Sequence, residues 1–170
     1  MIKLVSINEI DQVMKIINDA KSLLKRNSLQ WQQGYPNLET MTNDINNHHL
    51  YGYYKENKLI GIIALIINQD ENYLEIEDGS WQIIPSKNDL NIHRLAIDQD
   101  FHKQKIGEKL IQFAIDFSKE NHIKSIKVDT HESNIPMQIL LERNNFSKQG
   151  FIYIKRDKLD NKRLAYELVN

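Results

Sequence analysis

The sequence predicts an α/β fold in which one mixed sheet carries helices on both faces. Three observations lead there. Segments of helical period recur, and the strongest spans residues 106–117. Residues 58–67 are apolar at successive positions, and therefore on both faces, as a central strand would be. In the second half of the chain, strand-like and helix-like runs alternate, while two β runs sit side by side in the middle.

The elements follow in order. Residues 2–5 alternate apolar and polar and predict a short strand. Asn8 can cap a helix over about 9–26, in which Ile10, Val13, Met14, Ile16, Ile17, Leu23 and Leu24 recur at helical spacing. Residues 27–37 hold Trp31, Gly34, Tyr35 and Pro36 and predict a loop, followed by a short helix over 38–47. Residues 49–55 and 58–67 read as strands joined by a tight turn at Glu56-Asn57. Residues 68–88 are polar and mixed, with a candidate strand over 81–84. A strand over 90–97, a polar stretch over 98–105, the helix from 106, a strand over 125–129 and a helix over 135–144 come next. Strands over 151–154 and 163–169, joined by a charged turn, end the series.

Composition narrows the function classes. The 170 residues are 41% apolar and 26% charged, which suits one packed domain over residues 1–170. Lys and Arg number 22 against 23 Asp and Glu, without the basic excess of a nucleic-acid binder. The absence of cysteine excludes disulfides, thiolate zinc sites and a cysteine nucleophile. No metal site is expected, because adjacent His48 and His49 point to opposite strand faces and lack a matched partner. The longest apolar run, residues 59–67, is too short for a membrane helix, and the opening MIKLVSINEI does not read as a secretory signal. The expectation is a cytoplasmic protein with no membrane partner. With 25 Ile, 18 Asn and 17 Lys, clusters of Lys or Asn carry little weight as functional signals.

The chemistry concentrates in IHRLAIDQDFHKQKIGEKLIQFAIDF, residues 92–117. A strand runs into a loop that opens a long helix. Such a helix start offers unpaired N–H groups and the positive end of the dipole, which together favour a phosphate. Gly107 allows close backbone approach, and Lys103 and Lys105 add positive charge. Read from the residues alone, the stretch equally fits a plain strand-to-helix connection with solvated lysines.

In its motifs the chain resembles the GNAT superfamily of acyl-CoA-dependent N-acyltransferases. Leu95-Ala96-Ile97 matches the family's Leu-x-Val strand, and residues 102–107 occupy its Gln/Arg-x-x-Gly-x-Gly/Ala motif. His102 and Lys105 depart from that motif, and Gly107 retains it. Asn134 matches the family's Asn at the start of the following helix, and LLERNNF, residues 140–146, matches Leu-Tyr-x-x-x-Gly-Phe. QWQQGYP, residues 30–36, resembles a loop found in some bacterial members. Leu141 stands where the family has a Tyr that often protonates the departing thiolate, and Asn145 stands for its Gly.

The resemblance implies the family's fold and transfer of the acetyl group of acetyl-CoA directly to a primary amine. The acceptor expected is a small molecule, an amino acid or other small amine. A protein N-terminus or lysine is an alternative acceptor. A non-catalytic acyl-CoA sensor, which Leu141 would suit, is an alternative function. Leu95, Ala96 and Ile97 would hold the pantetheine arm; His102, Lys103, Gln104, Lys105, Ile106, Gly107 and Glu108 the pyrophosphate; and Asn134 another part of the CoA. Strand alternation groups Asn91, His93, Leu95 and Ile97, so His93 is a candidate base or a structural histidine of the sheet; His131 is a second candidate. Tyr166, or Tyr153, would stand in for the missing acid. Trp31, Tyr35 and Trp81 are candidate substrate contacts, and the acidic run over 70–78 is either an attractor for a cationic amine or a solvated loop. By analogy with the family, a homodimer paired through terminal strands is expected.

Overall fold

The computed structural model describes residues 1–102 and 104–170. Seven strands form one sheet: β1 (Ile2–Leu4), β2 (Leu50–Lys55), β3 (Lys58–Ile67), β4 (Leu90–Ile97), β5 (Ser125–Thr130), β6 (Ser147–Tyr153) and β7 (Lys162–Val169). Their order is β1-β2-β3-β4-β5-β7-β6. Only β4 and β5 are parallel; the other neighbours are antiparallel. Four helices complete the fold: α1 (Ile10–Leu24), α2 (Leu38–Asn46), α3 (Ile106–Glu120) and α4 (Ile135–Arg143).

The helices cover the sheet as the apolar periods require. Val13, Ile16 and Ile17 of α1 and Met41 and Ile45 of α2 are buried against Leu59, Ile62 and Ala64 of β3. On the opposite face, Leu110, Ile111 and Ala114 of α3 and Leu141 of α4 pack on Ile60, Ile92, Ile126 and Val128. Side chains of β3 thus enter both cores, which explains its unbroken apolar run.

Two expectations change. Residues 81–84 form no strand. The segment between β3 and β4 instead lies over the sheet, with a single-bridge pairing of Glu77 to Phe151 and a small core of Tyr73, Trp81, Ile152, Ile154 and Ala165. Regular alternation along β4 is also broken. Opposite β3, Ala96 pairs with Ile62 but His93 with Ala64, so β4 carries one extra residue, and Arg94 has a positive φ of 49°. Leu90 and Ile92 face α3 and α4; beyond the bulge Leu95 and Ile97 do so too, while Ala96 faces α1 and α2. His93 therefore leaves the face that sequence alternation shares between it, Leu95 and Ile97.

The long loop is held by buried charge. Glu167 of β7 accepts from the backbone N–H groups of Gln82 (2.7 Å) and Ile83 (3.2 Å). Lys127, with no exposed surface, lies 2.8 Å from Asp89 and 3.3 Å from Glu167, donates to Ser125 Oγ and sits over the Trp81 ring. Removing one member of such a cluster leaves its partners buried and uncompensated. Lys127→Ala is therefore expected to destabilise the fold by about 3 kcal/mol or more. Thermal or urea unfolding checks this, and an unchanged midpoint would contradict the clamp.

Candidate active site

β4 and β5 stay paired only from Leu90–Ile126 to Ile92–Val128 and then diverge. A cavity of about 930 Å³ opens in the gap, bordered by both strands, both helix faces and the loops that follow α1 and β6. On one side of it, residues 93–97 present a β4 edge that β5 does not pair. Such an edge can take an extended ligand as an added strand.

The next wall is the start of α3. Lys105 occupies its N-cap with φ 56° and provides no side-chain cap, so the helix's first N–H groups face the cavity mouth without a local acceptor. Lys105, Ile106, Gly107 and Glu108 border the cavity, as do Leu95, Ala96, Ile97 and His102. The His102 ring turns back toward Ile97 O (3.3 Å), and Gln104 does not border the cavity because its side chain accepts from Lys55 on β2 (3.2 Å). Lys103 lies outside the described residues. A Cβ on Gly107 would stand 3.1 Å from Leu140, so this glycine also serves the close approach of α3 and α4. Asn134 borders the cavity and caps α4 through Oδ1. The buried hydroxyl of Thr130, on the β5 side of the gap, has no partner. An unpaired strand edge, an uncapped helix start and an unsatisfied hydroxyl together fit an acyl-CoA.

Where the strands part, just past Ile92 and Val128, the polar side chains converge. His93 Nε2 lies 3.1 Å from Asp70 Oδ2, and its ring stacks at 6.3 Å on Tyr73. The Tyr73 hydroxyl donates to Asp129 at 2.7 Å. Burial pushes the Asp129 carboxyl above its ordinary range, and also raises the Tyr73 phenol. Burial acts on Asp70 in the same direction, but hydrogen bonds from His93 and Asn72 outweigh it and hold that carboxyl low. Arg94, at the bulge, forms a two-pronged pair with Asp44 of α2 and donates to the Tyr35 hydroxyl.

Two loops roof this end. The Leu29 N–H donates to Asp160 (3.0 Å), the Lys158 N–H donates to Gln33 (3.4 Å), and the Arg156 guanidinium lies 3.3 Å over the Tyr35 ring. Trp31 and Tyr35 border the cavity from the first loop. Among the described residues, no group of three His, Asp or Glu is placed to hold a metal ion, and no helix is long and apolar enough to cross a membrane.

The profile of the acetyltransferase (GNAT) family matches residues 10–146. The chain belongs to that family. A GNAT acetyltransferase from Streptococcus agalactiae is 30% identical, covers 100% of this chain and 95% of its own, and superposes with a TM-score of 0.88. The PaiA N-acetyltransferase of Thermoplasma acidophilum, solved with coenzyme A, shares the fold at 16% identity, with 99% and 98% coverage and a TM-score of 0.68. Streptothricin acetyltransferase A of Bacillus subtilis is 31% identical over 49% of this chain and 38% of its own. The chain spans less than two-fifths of the length of the curated relatives it matches.

Within the GNAT frame, several sequence candidates lie away from the cavity. His131 has both ring nitrogens engaged, with Ser133 (2.8 Å) and Asp160 (2.9 Å), and ties the roof loop to β5. Tyr166 is buried behind the sheet, where burial and Glu142 push its phenol up to about 12. Tyr153 donates outward to Glu77 (3.2 Å). Trp81 donates to Tyr73 O in the small core and so braces the site from outside. Leu141, at the family's Tyr position, is fully buried, and α4 turns Met137 and Leu140 to the cavity instead.

Arg94, Tyr73 and Arg156 were not selected by the sequence reading, which met Asp129 and Glu132 as strand-end carboxylates, usually solvated or capping, and Asp70 only within the acidic run that either attracts a cationic amine or is solvated. Arg94 was hidden in a strand whose bulge leaves no sequence signature. Asp70, Asp98 and Asp160 all have carboxyls held below the ordinary 3.8 despite burial. A carboxyl with a depressed folded pKa adds stability that is present above its unfolded pKa and lost as pH falls through the folded one. Stability should therefore decline below about pH 4, and Asp70→Asn should flatten that decline. Melting temperatures from pH 2 to 6 test both.

Proposed function

We propose that the chain transfers the acetyl group of acetyl-CoA to the primary amine of a small molecule. The observation that carries the acceptor class is the roof: three contacts join the loop after α1 to the loop after β6 across the acceptor end. A covered end suits a compact amine, whereas a peptide needs an open groove at both sides of the reacting atom.

The residues divide the work as follows. The free β4 edge over residues 93–97 holds the pantetheine arm as an added strand. The start of α3, with Lys105 and the backbone of Ile106 and Gly107, holds the pyrophosphate. Acetyl-CoA supplies the acyl group as a thioester. The acceptor reaches the site as an ammonium and must lose a proton before its nitrogen can attack. Nε2 of His93 lies 3.1 Å from Asp70, so a tautomer protonated on Nε2 keeps on Nδ1 the lone pair that takes this proton. Asp70 then balances the imidazolium, as a carboxylate behind a histidine base does elsewhere. On collapse to the amide the nitrogen gives up a second proton and the C–S bond breaks; because Leu141 offers no proton, water relays the proton from nitrogen to the departing thiolate.

The test is a thiol-release assay with amino acids, polyamines, aminosugars and short peptides as acceptors. Turnover confined to small amines is expected. His93→Ala should lower turnover by about a hundredfold with coenzyme A affinity retained. Turnover of peptides alone would overturn the acceptor class, and unchanged turnover in the variant would remove His93 as base.

A further inference from the structure

The acceptor end is not electrically neutral, and its charge is divided between two walls. The wall at the fork of the strands carries the acids Asp70 and Asp129, beside His93. Asp70 is already paired with His93, and burial favours the protonated form of Asp129. The opposite wall, from the loops after α1 and β6 and the start of β7, carries Arg26, Arg156 and Arg163. Arg163 is spent on structure: it is buried and donates to Asp157 (2.9 Å) and to the carbonyls of Asp160 and Lys162. The same Asp157 is the only carboxylate in contact with Arg156 among the described residues, so one acid serves two guanidiniums. Arg26 has no acidic partner among the described residues. That wall therefore keeps surplus positive charge facing the cavity. Coenzyme A does not account for it, because the uncapped start of α3, Lys105 and Arg143 border the cavity from the α3–α4 side, whereas Arg26 lies on the loop after α1 and Arg156, which gives Nε and Nη2 to Asp157 and keeps Nη1 for a ligand, lies over Tyr35.

Resting on the proposed acetyl transfer, we infer that the acceptor carries a carboxylate beside its reacting amine, and that Arg156 and Arg26 bind it. Two guanidiniums match a carboxylate by geometry as well as by charge. The Tyr35 ring fixes the plane of Arg156, so little rotamer freedom remains to be lost on binding. The same charge works against acceptors of the opposite kind. A polyamine would bring a second cation against this wall, and repulsion there sets specificity as firmly as attraction does. An α-amino acid carries both groups on one carbon, so its amine can face His93 while the neighbouring carboxylate faces the arginines of the roof.

The test compares matched pairs, each amino acid against the amine obtained by removing its carboxylate, as acceptors for the wild-type chain and for Arg156→Gln, Arg26→Gln and the double variant. Preference for the carboxylated member by about tenfold or more in kcat/KM is expected, and the double variant should abolish it. Circular dichroism and coenzyme A binding verify that each variant is folded; Arg26 is exposed and its variant carries the test if Arg156→Gln unfolds. Equal or better use of the decarboxylated amines would overturn this inference and leave acetyl transfer standing. A preference that survives both substitutions would overturn the role of these arginines. Absence of turnover with every member of every pair would overturn the transfer reading together with the inference.

Discussion

β4 and β5 run parallel and remain hydrogen-bonded over three residue pairs, from Leu90 with Ile126 to Ile92 with Val128, before they part. Parallel strands need not diverge, and here a bulge sits where the pairing ends. The extra residue at Arg94 bends β4 just past Ile92. The strand edge left open, the helix start beyond it and the convergence of His93, Asp70, Tyr73 and Asp129 at the fork all depend on that parting. A sheet paired to the end of β5 would have no gap to fill.

The bulge also decides which side chains reach each face. His93, opposite Ala64, shares the α1–α2 face while Leu95 and Ile97 keep to the α3–α4 face. One strand thereby presents apolar side chains to one face and an imidazole to the other. Arg94, held by Asp44 and Tyr35, ties the bulge to α2 and to the roof. The buried clamp of Lys127, Asp89 and Glu167 does similar work for the long loop that delivers Asp70 and Tyr73.

Much of the fold was legible because its signals are local. The strand over Leu90–Ile97 and the start of α3 at Ile106 follow from apolar period and a polar break, and they coincide with the structure. One side of the cavity was legible for a different reason: Leu95, Ala96, Ile97, Lys105, Ile106, Gly107 and Asn134 are close in sequence or carry a family motif, and all border it. The acceptor wall was not, because it is assembled from residues far apart in the chain. Asp70 meets His93, Tyr73 meets Asp129 and Arg156 meets Tyr35 only through the sheet order. His131 and Tyr166 read as candidates from residue type and strand position, yet their neighbours, Asp160 and Glu142, commit them to other work.

The roof has a consequence for how this chain could diversify. Its two loops lean on each other through a few polar contacts and one stacked pair, and on the sheet through Trp31, which packs on the α1–α2 core, and Tyr35, which accepts from Arg94. Changes at exposed positions such as Lys155, Lys158 and Leu159 can accumulate without touching those anchors. On the proposed function, such drift would alter acceptor choice while the β4 edge and the start of α3 stay as they are.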